Sequence, residues 1–389
     1  MLGILAINMP GFAGPPADVY HPVSHGTSPA LDAIVYGCWF VLCEGKMRGL
    51  FAILFGASME LFVSRAEAAG RDGQALQLRR LGWLAVFGYL HWLLWWGDIL
   101  FSYALAGLAA LGLRQAPRAL LVGGALFLFI LSQASGTLDW LPLTVAETHV
   151  AQGSATEQER TGLAEAHDMG ARQAATDLAS ARSGLAEQAA AKLGDDPLQP
   201  FWNAVAEIGE ALPYMLLGTL LLRTGFFAGR WPRRRVMALA IAGLLAGGAA
   251  TLAFAWWAGS HGYPSMAMHM ALAGALGLPH LLMALGYAAV LVLASRRILD
   301  TRIGTRIAAA GRCAFSNYLG TSIVMTALFC GWGLGLVGSV DTTAQAGFVL
   351  LGWTLMLAWS APWLARFRQG PLEWLWRSLV EWRRLPLKR

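Results

Sequence analysis

Apolar runs dominate the chain, separated by short polar breaks, and few of them alternate as strands do. Crossing a ~30 Å hydrocarbon layer takes about 20 residues of helix at 1.5 Å per residue. Ten runs are candidates, some of them short: roughly 1–13, 33–64, 81–97, 99–113, 119–135, 202–222, 236–257, 269–294, 307–337 and 344–365. The pattern predicts an all-α fold, a polytopic transmembrane bundle of about ten spans. The first run starts at full hydrophobicity with no flanking basic residue, as though the true start lay upstream. The second is too long and is interrupted at Glu44–Arg48, which predicts an outer surface helix leading into a membrane helix from about Met47. Only Gly97 and Asp98 separate spans three and four, a tight helical hairpin. From about Thr144 to Pro200 the sequence turns rich in Ala, Glu, Gln and Arg, which predicts one or two solvated helices capping the bundle. The resulting organisation is an amino-terminal half (1–135, five spans), an extracytoplasmic helical insert (136–201) and a carboxy-terminal half (202–389, five spans) with a basic tail.

Composition agrees: of 389 residues, 56% are hydrophobic and 13% charged, and the mean hydropathy is +0.51, which excludes an ordinary soluble domain. The net charge of +6 does not point to nucleic acid, because the arginines cluster in alternate short loops and report topology. Those groups are Arg65, Arg71, Arg79 and Arg80; Arg114 and Arg118; Arg223, Arg230 and Arg233–Arg235; Arg296, Arg297, Arg302 and Arg306; and the tail from Arg366. With ten spans the alternation places both termini in the cytoplasm and Asp98 outside, in a multi-pass protein of the inner (plasma) membrane. The four cysteines have neither C-x-x-C nor Cys/His ligand spacing, so no disulfide framework or metal site is expected.

Ionisable groups at membrane depth are costly and tend to face a cavity or a partner. His91 and Asp98 are two helical turns apart, on one face with Cα atoms ~10 Å apart, too far to touch in a straight helix but able to flank one substrate. His91 suits a general base or proton carrier, or an interhelical hydrogen bond. Asp98 suits catalysis, or an N-cap on the helix from Ile99. Asn8 ends the first span before a stiff, Pro-rich loop carrying His21 and His25; His21 is either a base held over the bundle mouth or a solvated loop residue. Glu44, Lys46 and Arg48 make an interfacial ion-pair network or a patch for an anionic headgroup. Arg312, Ser316 and Asn317 open span nine and either hold a phosphate or bridge packed helices. No G-x-S-x-G, Walker loop or paired-carboxylate signature is expected.

FAILFGAS (Phe51–Ser58), LHWLLWWGDILFSYALAG (Leu90–Gly107), GRCAFSNYL (Gly311–Leu319) and, most specifically, FRQGPLEWLWRSL (Phe367–Leu379) resemble the YeiB-like membrane proteins, domain-of-unknown-function family 418. The likeness covers nearly the whole chain outside 144–200. More remotely, the amino-terminal part resembles the transmembrane acyltransferases of the heparan-α-glucosaminide N-acetyltransferase type. In those a span ending in asparagine precedes a loop histidine, positions matched here by Asn8 and His21; the D-x-x-R-G-like element with which both families usually begin is absent.

That resemblance implies acetyl-CoA or another acyl-CoA as co-substrate, its phosphates held by cytoplasmic arginines among Arg79, Arg80, Arg312 and Arg377. The acyl group would pass to a small-molecule, lipid or sugar acceptor outside, with His21 or His91 as base and Asn8 as orienter. It predicts a cavity joining a basic inner mouth to an outer histidine. The alternative is a proton-coupled small-molecule or lipid transporter with His91 and Asp98 as its relay. The lipid bilayer is the expected partner, a homo-oligomer is possible, and no nucleic acid is expected.

Overall fold

The computed structural model describes residues 1–26 and 28–389, and of Arg296 its backbone alone. Thr27, in the loop expected over 14–30, and the side chain of Arg296, counted in the fourth basic group, lie outside the described residues.

Sixteen α-helices are described, with no β-sheet among the described residues: α1 (Leu2–Ala13), α2 (Pro29–Leu42), α3 (Lys46–Ala68), α4 (Gly73–Leu94), α5 (Leu100–Gly112), α6 (Arg118–Gln152), α7 (Glu157–Arg182), α8 (Leu185–Asp195), α9 (Gln199–Arg223), α10 (Arg233–Ser260), α11 (Ser265–Met270), α12 (Gly277–Leu299), α13 (Arg302–Arg312), α14 (Ala314–Phe329), α15 (Thr342–Arg366) and α16 (Pro371–Val380). The ten expected runs fall mainly on helix, but 95–97 and 330–337 lie outside it and Cys313 divides the ninth run between α13 and α14. Six helical segments are long and apolar enough to cross a membrane by length and composition, and α1, α5 and α14 are shorter apolar helices. Glu44–Arg48 does break the second run: Gly45 takes φ 71° and α3 starts at Lys46. No break marks the start of the insert, because α6 continues through 35 residues before Gly153 ends it at φ 73°. A capping box at Thr156 and Glu159 then opens α7.

The main core lies where α3, α5 and α9 pack, around Ile53, Leu81, Tyr103, Met215 and Leu216. Gly56 faces the carbonyl of Met215, and Gly218 faces that of Ile53. A methyl group at either position would meet backbone, so these glycines set the close approach of α3 to α9. A second core seats α1 against α14 and α15 through Met9, Phe12, Met325, Phe329 and Met356. The outer surface is apolar, with Leu126, Phe127, Ile130, Leu245, Leu252 and Leu350 all exposed. An apolar exterior around a close-packed interior is what lipid as solvent demands.

The bundle has two unlike ends. The arginine end carries the turns at 69–72, 113–117 and 224–232, with α13 and α16. There Glu60 is 7% exposed and accepts from both Arg114 and Arg223 at 3.0 Å, pinning α3, α5 and α9 together. The insert end carries α7 and α8, which lie over the loops: Gly331 donates to the carbonyl of Ala181, and Lys192 donates to the carbonyls of Trp92 and Leu93 at 2.7 and 3.2 Å.

Candidate functional site

The hydrophobic helix α4 stops at Leu94 because Trp95 turns extended (φ −150°, ψ 132°). The short connection folds back, and His91 Nδ1 meets Asp98 Oδ1 at 2.7 Å with only 1% and 2% of the two side chains exposed. This corrects the separation expected from a straight helix, since the helix ends between the two residues. Asp98 also performs the capping role: its Oδ2 accepts from the amide of Phe101 at 2.9 Å. One carboxylate therefore holds both the start of α5 and the imidazole.

The far nitrogen of that ring, Nε2, is buried without a hydrogen-bond partner. The ring lies 5.0 Å from that of Tyr318 and 6.0 Å from that of Trp95. A carboxylate on Nδ1 fixes the tautomer with the proton there and leaves Nε2 as the acceptor, the arrangement of an oriented base.

Asn8 reaches the same neighbourhood: it lines a void of about 10 Å³ with Tyr318 and Thr321. His21 does not. It is exposed, and its Nδ1 faces the adjacent Pro22 carbonyl at 3.3 Å. Asp18, nearby in a 3-10 turn (Pro16–Val19), is pushed up to about 6 by burial, with His21 and His25 acting the other way.

At the arginine end, a pocket of about 530 Å³ is lined by Arg65, Arg71, Arg80 and Arg377, closed on its sides by Phe62 and Trp376. Arg80 is held flat, its guanidinium 4.1 Å from the Phe62 ring and 4.8 Å from that of Trp376. Of the two carboxylates on the wall, Glu381 takes Arg71, itself a lining residue, in two bonds of 3.0 and 2.6 Å, and Glu373 accepts from the Phe315 and Ser316 amides at 2.7 and 3.1 Å.

Of the residues read as phosphate-binding, Arg80 and Arg377 line this pocket. Arg79 instead sits 6.0 Å from the Trp382 ring, and Arg312 donates to the Arg368 carbonyl at 3.1 Å. Ser316 bonds Glu373, and Asn317 donates to Ala310 and accepts from Trp359 at 2.9 and 2.8 Å. This end of α14 is thus chiefly a packed, polar helix junction. Ser316 and Asn317 also border a 50 Å³ void that shares Thr321 with the void beneath Asn8.

A third set of groups was not legible as a site. Glu207 and Glu210, one turn apart on α9, line a cavity of about 100 Å³ with Arg48, Tyr103 and Tyr214, contrary to the expectation of no paired carboxylates. Their i, i+3 spacing inside an apolar span was the available signal. The interfacial network read from Glu44, Lys46 and Arg48 extends to this helix, with Arg48 Nε 3.1 Å from Glu210 and NH1 4.0 Å from Glu44.

The family model described as "Protein of unknown function (DUF418)" matches residues 221–383. The chain is 29% identical over 401 residues to "Uncharacterized protein YeiB" of Escherichia coli (strain K12), covering 98% of this chain and 93% of that protein. It is also 29% identical over 396 residues to "Uncharacterized protein YxaH" of Bacillus subtilis (strain 168), covering 97% and 90%. A 39.9 kDa uncharacterized protein of Bacillus acidopullulyticus is 23% identical over 394 residues. No solved structure matches the chain. The matched region contains the tail motif, and the alignments run nearly end to end: the chain is similar to the YeiB-like proteins throughout and to the DUF418 family model over its carboxy-terminal half.

Proposed function

We propose that this protein is an acyl-CoA-dependent transmembrane acyltransferase of the bacterial inner membrane. The observation that carries the reading is the four-arginine pocket of about 530 Å³ at the arginine end. Guanidinium groups in a concave wall recognise phosphates bidentately, and an arginine-rich face is the cytoplasmic one by the positive-inside rule. Acetyl-CoA or another acyl-CoA meets that face, on which the carboxy-terminal segment lies, Arg389 donating to the Arg366 carbonyl. The lining of this pocket does not reach His91, so the expected joining cavity is not formed by it; Arg80 and His91 stand 11 residues apart on α4, or ~16 Å along its axis, a span on the scale of an extended pantetheine arm.

In the step envisaged, His91 Nε2 takes the proton of an acceptor hydroxyl or amine while Asp98 steadies the resulting imidazolium. The acceptor forms a bond to the thioester carbonyl carbon, the carbon–sulfur bond breaks, and the thiolate leaving group is protonated. The acceptor belongs to the insert end. His91, not His21, is the base in this reading, because of these two His91 is the one that a carboxylate orients.

Titration calorimetry of the purified protein with acetyl-CoA tests the pocket. Binding is expected, with Arg80→Ala and Arg377→Ala each weakening it about 10- to 100-fold, the range of a lost charge-assisted contact. His91→Ala is expected to keep that affinity and abolish acyl transfer or slow hydrolysis. A protein that binds no acyl-CoA rules the reading out. A second reading, proton-coupled transport of a small molecule or lipid, is favoured by one observation: charged Arg48, Glu207 and Glu210 line a cavity within the bundle. Uptake into proteoliposomes that depends on a pH gradient and on Glu207 would select it.

A further inference from the structure

The cavity between α3, α5 and α9 has a chemistry distinct from the arginine pocket. Its volume of about 100 Å³ exceeds the ~10–15 Å³ that one water needs and admits a group of a few heavy atoms. Two carboxylates, Glu207 and Glu210, line it against one cation, Arg48, and the cations of this region are engaged. Arg48 pairs with Glu210 and Glu44, while Lys46 is buried with Nζ on the Phe40 carbonyl at 2.8 Å. Glu207 is hydrogen-bonded by Ser102 and exposed, so its carboxylate is the one open to a visitor.

Two tyrosines complete the lining. Tyr103 donates its hydroxyl to the Arg48 carbonyl at 3.1 Å, leaving its oxygen to accept while its ring packs on Phe51 and Phe55, and Tyr214 lines the cavity beside it. Carboxylate and phenol oxygen are acceptors that hold an ammonium. An anion would meet Glu207 and Glu210 side by side. A bound metal has less support: among the described residues no group of three His, Cys, Asp or Glu is placed to hold an ion.

We propose that this cavity binds a small primary ammonium group, such as that of an amino alcohol, an amino sugar or an amino-lipid headgroup. The inference concerns binding at this cavity alone and stands apart from acyl transfer, since neither Arg80 nor His91 lines it.

Radiolabelled ethanolamine, incubated with the protein in phosphatidylglycerol nanodiscs, tests it. Saturable binding is expected, displaced by methylamine and not by ethylene glycol or acetate. The isosteric Glu207→Gln is expected to weaken it at least tenfold, and Tyr214→Leu several-fold, with unfolding temperature and acetyl-CoA affinity unchanged in Glu207→Gln. Rebuilding the nanodiscs with phosphatidylethanolamine separates the two sources. Loss of ethanolamine binding assigns the cavity to the lipid headgroup, and retention assigns it to a free amine. Equal displacement by ethylene glycol, displacement by acetate, or an unchanged affinity in a well-folded Glu207→Gln overturns the proposal.

Discussion

At the insert end His91 and Asp98 meet at 2.7 Å with almost no side-chain surface exposed, whereas at the arginine end Arg65, Arg71, Arg80 and Arg377 rim a pocket of about 530 Å³. The first arrangement spends one carboxylate on two jobs and cannot lose it without leaving a buried group unpaired. The second repeats one charge around an open space, so that each member is partly replaceable. Buried, singly satisfied polar groups are where large energetic effects concentrate, while exposed charges contribute through number.

The sharpest way to break this contrast is Asp98→Ala, which removes the cap on α5 and strands the His91 ring. Breaking a buried pair by deleting one partner costs about 3–5 kcal/mol, so thermal unfolding in detergent should show a large drop. Asp98→Asn, which keeps an acceptor for the Phe101 amide, should lose much less stability while no longer supporting the imidazolium.

A middle-sized effect is expected at Asp18. Burial raises its folded pKa from 3.8 to about 6, so the folded protein holds this proton more tightly than the unfolded chain. Its stabilising contribution is full below about pH 4 and is lost as pH rises through 6. Asp18→Asn should therefore raise stability at pH 7 by up to about 3 kcal/mol and change little at pH 4, read from unfolding temperatures across that range. The smallest effect belongs to the arginine end: Arg71, 47% exposed in its pair with Glu381, should change stability on replacement by alanine by no more than about 1 kcal/mol. A loss as large as that of Asp98→Ala would erase the distinction between the two ends.

The helices were legible because lipid-facing surfaces force apolar runs, and even the break at Glu44–Arg48 announced itself by charge inside such a run. Boundaries set by tertiary contact were not. The stop of α4 at Leu94 lies inside LHWLLWWG, where nothing local ends a helix. The run continues in hydrophobicity while Trp95 leaves the helix to stack on Phe12, ring centroids 4.1 Å apart. That hidden stop is why the His91–Asp98 contact could not be read from spacing.

The site divides in the same way. His91, Asp98 and Arg80 stand out in the sequence as charge in apolar surroundings. Arg312 and Asn317 stand out equally, yet serve the junction of α13, α14, α15 and the tail. Glu207 and Glu210 became a site only when α9 brought them against Arg48 across 159 and 162 positions of sequence. Residue type marks where charge is buried; only packing decides whether the charge meets a wall or a space.

The bond from Lys192 to the carbonyls of Trp92 and Leu93 has a consequence for biogenesis. The last turn of α4 is completed by a residue made 100 positions later, after the ribosome has finished α5, α6 and α7. The α4 helix therefore forms with its end unfinished, and the bend that sets His91 is locked only when α8 has been made and has docked. A nascent chain halted before Lys192 should leave this turn open to hydrogen exchange, with closure following the docking of α8.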